Sequence, residues 1–126
     1  MSAYPEIKNF VQATLGCVCP EEVFDQIECQ DGSGALWRKK INVGNRLLIY
    51  IVTANTESGI REIIEHALGQ GVEERNARGL NRFRLVLVSH DPGELKHSAE
   101  QAFRHAQYAD GKTHLHIVSE RDIERL

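Results

Sequence analysis

The sequence lacks any hydrophobic run long enough to cross a membrane. Its longest apolar stretch, Leu47 to Val52, is far shorter than the ~20 residues that a bilayer requires. The N-terminal segment has no apolar core of a secretory signal, so no such signal is expected. There are only 3 cysteines, an odd number, and two of them are separated by a single residue. This poor disulfide framework predicts a protein of the reducing cytoplasm. The lack of a long apolar run predicts that the protein has no membrane partner.

Several short motifs that identify enzyme classes are also missing. The sequence contains neither G-x-G-x-x-G nor a Walker-type phosphate loop, and neither the G-x-S-x-G of hydrolases nor the H-E-x-x-H of zinc proteases. A helix followed by a hairpin suggests metal-dependent nucleases, which need an acidic residue followed by E-x-K. Asp31 is present, but no E-x-K lies on the strands predicted after it. None of these mechanisms is therefore expected.

The charge is weakly acidic overall and unevenly distributed. The formal net charge of -3 argues against general binding of nucleic acid. Residues 1–35 carry six acidic groups and one basic group, whereas residues 36–90 carry nine basic and five acidic groups. The two regions can attract each other or a partner, although two solvated faces are the simpler interpretation.

The length and composition predict one α/β domain over residues 1–126. Hydrophobic residues make up 41% of the chain and charged residues 26%, as in ordinary globular proteins. Apolar residues at helical spacing predict a first helix that ends at Gly16: Ile7, Phe10, Val11 and Leu15. Pro20 opens a predicted second helix, because proline fits the first position of a helix. That helix carries Val23, Phe24 and Ile27.

Gly44-Asn45 predicts an antiparallel hairpin after the two N-terminal helices. These residues separate two strand-like runs, and a two-residue turn here places Ile41 opposite Leu48. The second run is continuously apolar, which is typical of a central strand covered on both faces. We expect Cys29 on an additional edge strand before the hairpin.

A parallel β-α-β-α-β arrangement is predicted for the rest of the chain. The helix that follows the hairpin is expected to end at Gly69 and Gly71. Leu85–Val88 is the next buried strand, Asp91 caps a further helix, and His114–Val118 alternates as an outer strand does. The expected fold is therefore a mixed sheet with helices on both faces.

The bend between the two N-terminal helices, Cys17-Val18-Cys19-Pro20, is the strongest candidate for chemistry. Cys19 falls at the N-cap of the second predicted helix, where unsatisfied N–H groups and the helix dipole favour a thiolate. Glu21 and Glu22 oppose this effect with negative charge. The loop predicts either a thiol redox site or a site for zinc or another thiophilic metal, held by Cys17 and Cys19.

Each of these interpretations has an observation against it. Thioredoxin-type redox sites place two residues between their cysteines, and zinc sites usually two to four, whereas this loop has one. Cys29 follows the second predicted helix, roughly 11 Å long at ~1.5 Å per residue, so it is not expected to complete the site. A histidine or a second subunit would have to complete the site at Cys17 and Cys19, or no such site forms. In the last case the cysteines are structural fillers of a tight bend.

The stretch Thr14-Leu15-Gly16-Cys17-Val18-Cys19-Pro20-Glu21-Glu22-Val23-Phe24 resembles a segment of small uncharacterised prokaryotic proteins. The resemblance covers these 11 residues and implies no established activity. It marks the loop as a feature without supplying a mechanism.

The carboxyl ends of the parallel strands are the second candidate site, because open α/β sheets bind ligands beyond these ends. Thr53, Asn55 and Thr56 follow the central strand and are candidate ligand-binding residues, with helix N-termini nearby for an anion. His90 follows the next strand and is a candidate general base, or a partner for a thiol. His90 can also be a fourth metal ligand or only a hydrogen-bonded strand end. Helix capping is the alternative for Thr56, Asp91 and Ser119, and it is the one expected for Asp91.

Two groups of basic residues complete the candidates. An arginine group is expected in a solvated loop balanced by Glu73 and Glu74, rather than as an anion clamp: Arg75, Arg78, Arg82 and Arg84. His114 and His116 point to one side of the outer strand at a metal-capable spacing, although an exposed strand face is the commoner explanation.

The sequence thus predicts a small cytoplasmic thiol protein that binds a metal or a redox partner through Cys17 and Cys19, with His90 as a candidate helper. A non-catalytic interaction module, either a homo-oligomer or bound to a protein partner, is the alternative from another class. An enzyme that binds a small anion at the strand ends is the third.

Overall fold

The computed structural model describes residues 5–14, 26–32, 37–54, 59–106 and 111–123. Its helices are α1 (Pro5–Asn9), which continues into a π-helical turn (Phe10–Thr14), α2 (Ile60–Ala77), α3 (Pro92–Arg104) and α4 (Glu120–Ile123). Its strands are β1 (Ile27–Asp31), β2 (Lys39–Val43), β3 (Leu47–Thr53), β4 (Arg82–Val88) and β5 (Thr113–Val118). No helix within these ranges has both the length and the apolar character that crossing a membrane requires.

The strands form one mixed sheet in the order β1-β2-β3-β4-β5. The pairs β1–β2 and β2–β3 are antiparallel, whereas β3–β4 and β4–β5 are parallel. Each parallel step contains a helix, α2 or α3, because a parallel connection has to return to the same end of the sheet. The predicted mixed sheet is confirmed, and Cys29 lies on the edge strand β1.

Alternation along the strands gives the sheet two faces, each with its own apolar core. The helical face is covered by α2 and α3 and is formed by Leu48, Tyr50, Val52, Phe83, Leu85 and Leu87. The terminal face is covered by Ile7, Phe10, Val11 and Ile123 and is formed by Ile41, Val43, Ile49, Ile51, Val86 and Val88. Strands β3 and β4 contribute to both cores, which explains why their sequences are almost continuously apolar.

The predicted turn forms at Gly44-Asn45, where both residues have positive φ angles of 61° and 55°. The N–H of Arg46 donates to the carbonyl of Val43 at 3.1 Å, as in a type I′ turn. The side chain of Asn42 supports the turn by accepting a hydrogen bond from the N–H of Asn45 at 3.1 Å. The hairpin is therefore specified by its turn residues.

The register of this hairpin nevertheless differs by one residue from the prediction. Ile41 pairs with Ile49 and not with Leu48. The reason is Arg46, whose carbonyl turns away from the hairpin and accepts a hydrogen bond from the N–H of Asn81 at 2.8 Å. A shift of one residue exchanges the faces of a strand, so this contact decides which residues of β3 reach each core.

The prediction of two N-terminal helices is not borne out. α1 is only five residues long and ends in the π-helical turn Phe10–Thr14. The second predicted helix falls mostly on residues 15–25, which lie outside the described residues. Ile27, which was assigned to it, is the first residue of β1 and packs against the core of the terminal face.

α2 does not end at Gly69 and Gly71, as predicted, but continues to Ala77. Gly71 is buried where the helix crosses the ring of Phe83, and a Cβ built on it lies 2.2 Å from the nearest ring carbon. The glycine therefore permits close approach of helix and sheet instead of ending the helix. As a consequence, Arg75 is buried within α2 and does not lie in a solvated loop.

We expect Gly71→Ala to destabilise the fold by about 1 kcal/mol. Alanine favours a helix over glycine by ~1 kcal/mol, but overpacking a filled core costs ~1–3 kcal/mol, and the ring of Phe83 has to move. Urea unfolding measures the difference. The matched control is Gly93→Ala in α3, where the nearest atom lies 3.8 Å from the added Cβ and stability is expected to hold or rise. Equal stabilities of the Gly71 variant and the native protein would contradict the packing role.

Candidate functional site

Several residues of the predicted sites lie outside the described part of the chain: Cys17, Cys19, Asn55 and Thr56. Thr53 is exposed at the carboxyl end of β3, and His90 is exposed just after β4. Cys29 is half-buried on β1, where burial raises the pKa of its thiol and the charge of Lys39 opposes that effect. Its thiol is therefore less acidic than a free cysteine.

Polar groups at the carboxyl edge of the parallel strands serve mainly as helix caps. The hydroxyl of Ser89 accepts a hydrogen bond from the N–H of Asp91 at 3.0 Å, and Asp91 Oδ1 accepts from the N–H of Glu94 at 3.2 Å. The N–H and hydroxyl of Ser119 donate to Asp122 Oδ2 at 2.9 and 3.1 Å. Capping, the alternative expected for Asp91, is confirmed. These contacts use groups that an anion at this edge would need.

A cluster of basic side chains lies instead on the terminal face, where β4 and β5 run side by side. Arg84 is directly opposite His114, and His116 lies two residues further along the same face. Arg84 is buried, with its Nη1 at 2.7 Å from Nε2 of His116. We call Arg84, His114 and His116 the basic cluster.

The sequence interpretation missed this cluster because it placed Arg82 and Arg84 in a loop. Both residues lie on β4, which begins three residues before the predicted strand. The signal was present in the sequence, because Arg84 has the same parity as Val86 and Val88 and so belongs to their face of the strand. Following the alternation of this strand towards its N-terminal end, past Leu85, would have placed Arg84 on the same face as Val86 and Val88.

One protonation pattern fits the contact in the basic cluster. A guanidinium group only donates, so Nε2 of His116 is unprotonated and accepts, and the imidazole proton lies on Nδ1. Burial, followed by the charge of Arg84, lowers the pKa of His116 to about 4. Burial and the charges of Arg84 and Arg82 also lower the pKa of His114. At neutral pH the cluster thus contains one charged guanidinium beside two neutral imidazoles.

The basic cluster offers positive charge and hydrogen-bond donors to a ligand. Nε2 of His114 is buried and has no hydrogen-bond partner among the described residues. The planar donors of Arg84 match the oxygens of a carboxylate or phosphate. In the part of the chain that the structure describes, no three His, Cys, Asp or Glu side chains come together as a metal site, so the two histidines lack a third ligand there.

A groove of about 700 Å³ runs between β5 and α3 on the helical face, the opposite face from the basic cluster. Its lining includes both histidines of β5 and three charged side chains of α3: His114, His116, Lys96, Glu100 and Arg104. Leu115, Ile117 and Phe103 add apolar surface. This volume is large enough for a small molecule or an extended peptide segment.

A second polar cluster fastens α2 to the helical face. The hydroxyl of Tyr50 donates to Glu74 Oε1 at 2.6 Å, and Lys40 and Arg78 bind the same carboxylate at 3.1 and 3.0 Å. Burial alone raises the pKa of Glu74, but these hydrogen bonds outweigh it and hold the pKa below its usual value. Trp37 packs 6.1 Å from the Tyr50 ring and 5.1 Å from Lys40 Nζ. With its carboxylate bound by three donors, this cluster is structural.

Comparison of the chain with protein-family models, curated proteins and solved structures finds no match in any of the three. Function therefore has to be inferred from the geometry of the described residues.

We expect the stability of the protein to fall as the pH decreases from about 6.5 to about 4. In this interval the unfolded chain binds a proton at His116 that the folded protein does not, and below it the loss levels off. His116→Gln keeps an acceptor for Arg84 but does not titrate. Between these pH values, the free energy of unfolding of the variant is expected to fall by about 2 kcal/mol less than that of the native protein. This figure allows for solvent screening of a half-buried group.

Urea unfolding at several pH values measures this difference. His66→Gln replaces an exposed histidine of α2 that lies outside the basic cluster, so this control is expected to keep the native pH dependence. The same slope in the His116 variant and the native protein would show that His116 is not held neutral by its surroundings.

Proposed function

We propose that the protein binds a small ligand with a phosphate or carboxylate group through Arg84, His114 and His116. The observation that carries this proposal is the 2.7 Å contact between Arg84 Nη1 and His116 Nε2. It fixes the imidazole of His116 so that its Nδ1–H points away from the arginine. A buried guanidinium and imidazole donors held on two paired strands form a rigid arrangement for an anion.

Electrostatic strain within the basic cluster supports an anionic ligand. Besides burial, the charges of neighbouring basic groups lower the pKa values of Arg84, His114 and His116. A negative charge placed among them would offset this repulsion and raise the pKa of each group towards its usual value. Binding of an anion and protonation of the histidines are thus expected to favour each other.

A thiol function of Cys17 and Cys19 is the second proposal, and it is supported by their Cys-x-Cys-Pro spacing in the sequence. The described segment that precedes this loop, Phe10–Thr14, lies on the terminal face, where it contacts α4. In this proposal the cysteine loop binds zinc or another thiophilic metal, or a redox partner, in the cytoplasm.

Proton NMR of the histidine rings tests the anion proposal. Adding inorganic phosphate or acetate is expected to shift the His116 and His114 resonances and to raise the pKa of His116, because the bound charge offsets that of Arg84. Arg84→Lys retains the positive charge but loses the planar pair of donors, so it is expected to weaken phosphate binding about tenfold or more.

Two controls separate binding from general salt effects. Sodium chloride at matched ionic strength is expected to leave the cluster resonances in place. The exposed His66 of α2 serves as an internal reference in every titration. If phosphate and acetate move the His66 and His116 resonances alike, the anion proposal is wrong.

Elemental analysis of protein purified without chelator, together with a count of free thiols, tests the thiol proposal. Near-stoichiometric metal that is lost in Cys17→Ser but retained in Cys29→Ser supports it, because Cys29 lies on β1 and not in the loop. Substoichiometric metal with three free, slowly reacting thiols would rule out both a metal and a redox role.

A further inference from the structure

The two edge strands of the sheet differ in how they are protected against pairing. β1 exposes Glu28, Gln30 and Asp31, and charged side chains on an edge discourage another strand from adding to it. β5 has the sequence Thr-His-Leu-His-Ile-Val, without proline, lysine, arginine or an acidic residue, and it is one residue longer. β5 thus lacks the proline, lysine and acidic residues that often protect an edge strand against pairing.

The surface beside β5 combines apolar and charged groups in a pattern that can match itself. Leu115 and Ile117 are only half-buried on the helical face. In the neighbouring helix α3, Lys96, Glu100 and Arg104 follow one another at intervals of four residues, so they lie along one side of the helix. When a second copy of α3 runs antiparallel to the first and is offset by one helical turn, Glu100 of each copy lies beside a basic residue of the other copy.

We propose that this surface binds a second copy of the chain, with two β5 strands pairing antiparallel across a two-fold axis. The pairing extends the sheet from five strands to ten and uses the main-chain groups on the outer side of β5. The acidic strands β1 then form both outer edges of the dimer, where their charge protects the enlarged sheet.

Strand geometry restricts the register of this dimer. Opposite residues of an antiparallel pair point to the same face. In a symmetric pair of β5 strands, one residue therefore has to lie opposite its own copy, with the two-fold axis between the two copies of that residue. The groove is lined along Thr113–Ile117, whose central residue is Leu115. With the axis at Leu115, this side chain meets its own copy on the helical face, and His114 lies opposite His116 of the second copy.

Sedimentation velocity of the native chain over a range of concentrations is the first test. A dimer is expected, and Leu115→Lys is expected to give a monomer because it places two ammonium groups against each other. Ala77→Lys, at the exposed C-terminal end of α2, is the matched control and is expected to remain dimeric. A native protein that is monomeric at all concentrations overturns the proposal.

Because Leu115→Lys can also weaken folding, cross-linking provides an independent test. In Leu115→Cys, the two introduced thiols face each other within disulfide distance and are expected to join under mild oxidation. In Ile117→Cys, the introduced thiols are four positions apart along the ladder, ~14 Å, so they are not expected to join. Mass spectrometry of the linked peptides distinguishes these bonds from those of the native cysteines.

The outcomes separate clearly. A cross-link at position 115 but not at 117 supports both the dimer and its register. A dimer that cross-links at 117, or at neither position, overturns the pairing along β5 centred on Leu115.

Discussion

Strands β3 and β4 are covered on both faces, so polar side chains that they carry into the interior need partners within the protein. A buried polar group without a partner costs ~1–3 kcal/mol, a large part of the stability of a domain this size. Tyr50 of β3 meets this constraint through Glu74 of α2, and Nη1 of Arg84 on β4 meets it through His116 of β5. The two contacts lie on opposite faces, and each joins a buried strand to the element that covers or flanks it.

The same constraint explains why α2 is longer than its glycines suggest. Its C-terminal half carries Glu74, which binds Tyr50, and it can reach that position only by passing close to Phe83. Gly71 makes the passage possible. A glycine that looks like a helix stop in the sequence is in fact the point at which the helix touches the sheet.

Local signals in the sequence were sufficient for much of the fold. The Gly44-Asn45 turn, the Asp91 cap and the parallel arrangement of the last three strands follow from short patterns that depend on neighbouring residues. The hairpin register did not follow, because it depends on the carbonyl of Arg46 binding Asn81, which is distant in sequence. The prediction that α2 ends at Gly69 and Gly71 was wrong for the same reason. Contacts between distant segments decided these features, and no local pattern records them.

The candidate site was predicted less well than the fold. His114 and His116 were recognised as a pair on an outer strand, but Arg84 joins them only through the pairing of β4 with β5. The electrostatic character of the pair depends on this third residue. Without it, two histidines on one strand face are an ordinary polar surface. With it, they are neutral groups held against a buried positive charge.

Trp37 has a practical consequence for the study of these two regions. It is the only tryptophan of the chain, and it packs on the helical face against Tyr50 and Lys40. The basic cluster lies on the opposite face and at the other side of the sheet. Intrinsic fluorescence therefore reports on the antiparallel half of the molecule, whereas the histidine ring signals report on the parallel half. A single unmodified sample thus contains an optical and a magnetic probe for two separate parts of the fold.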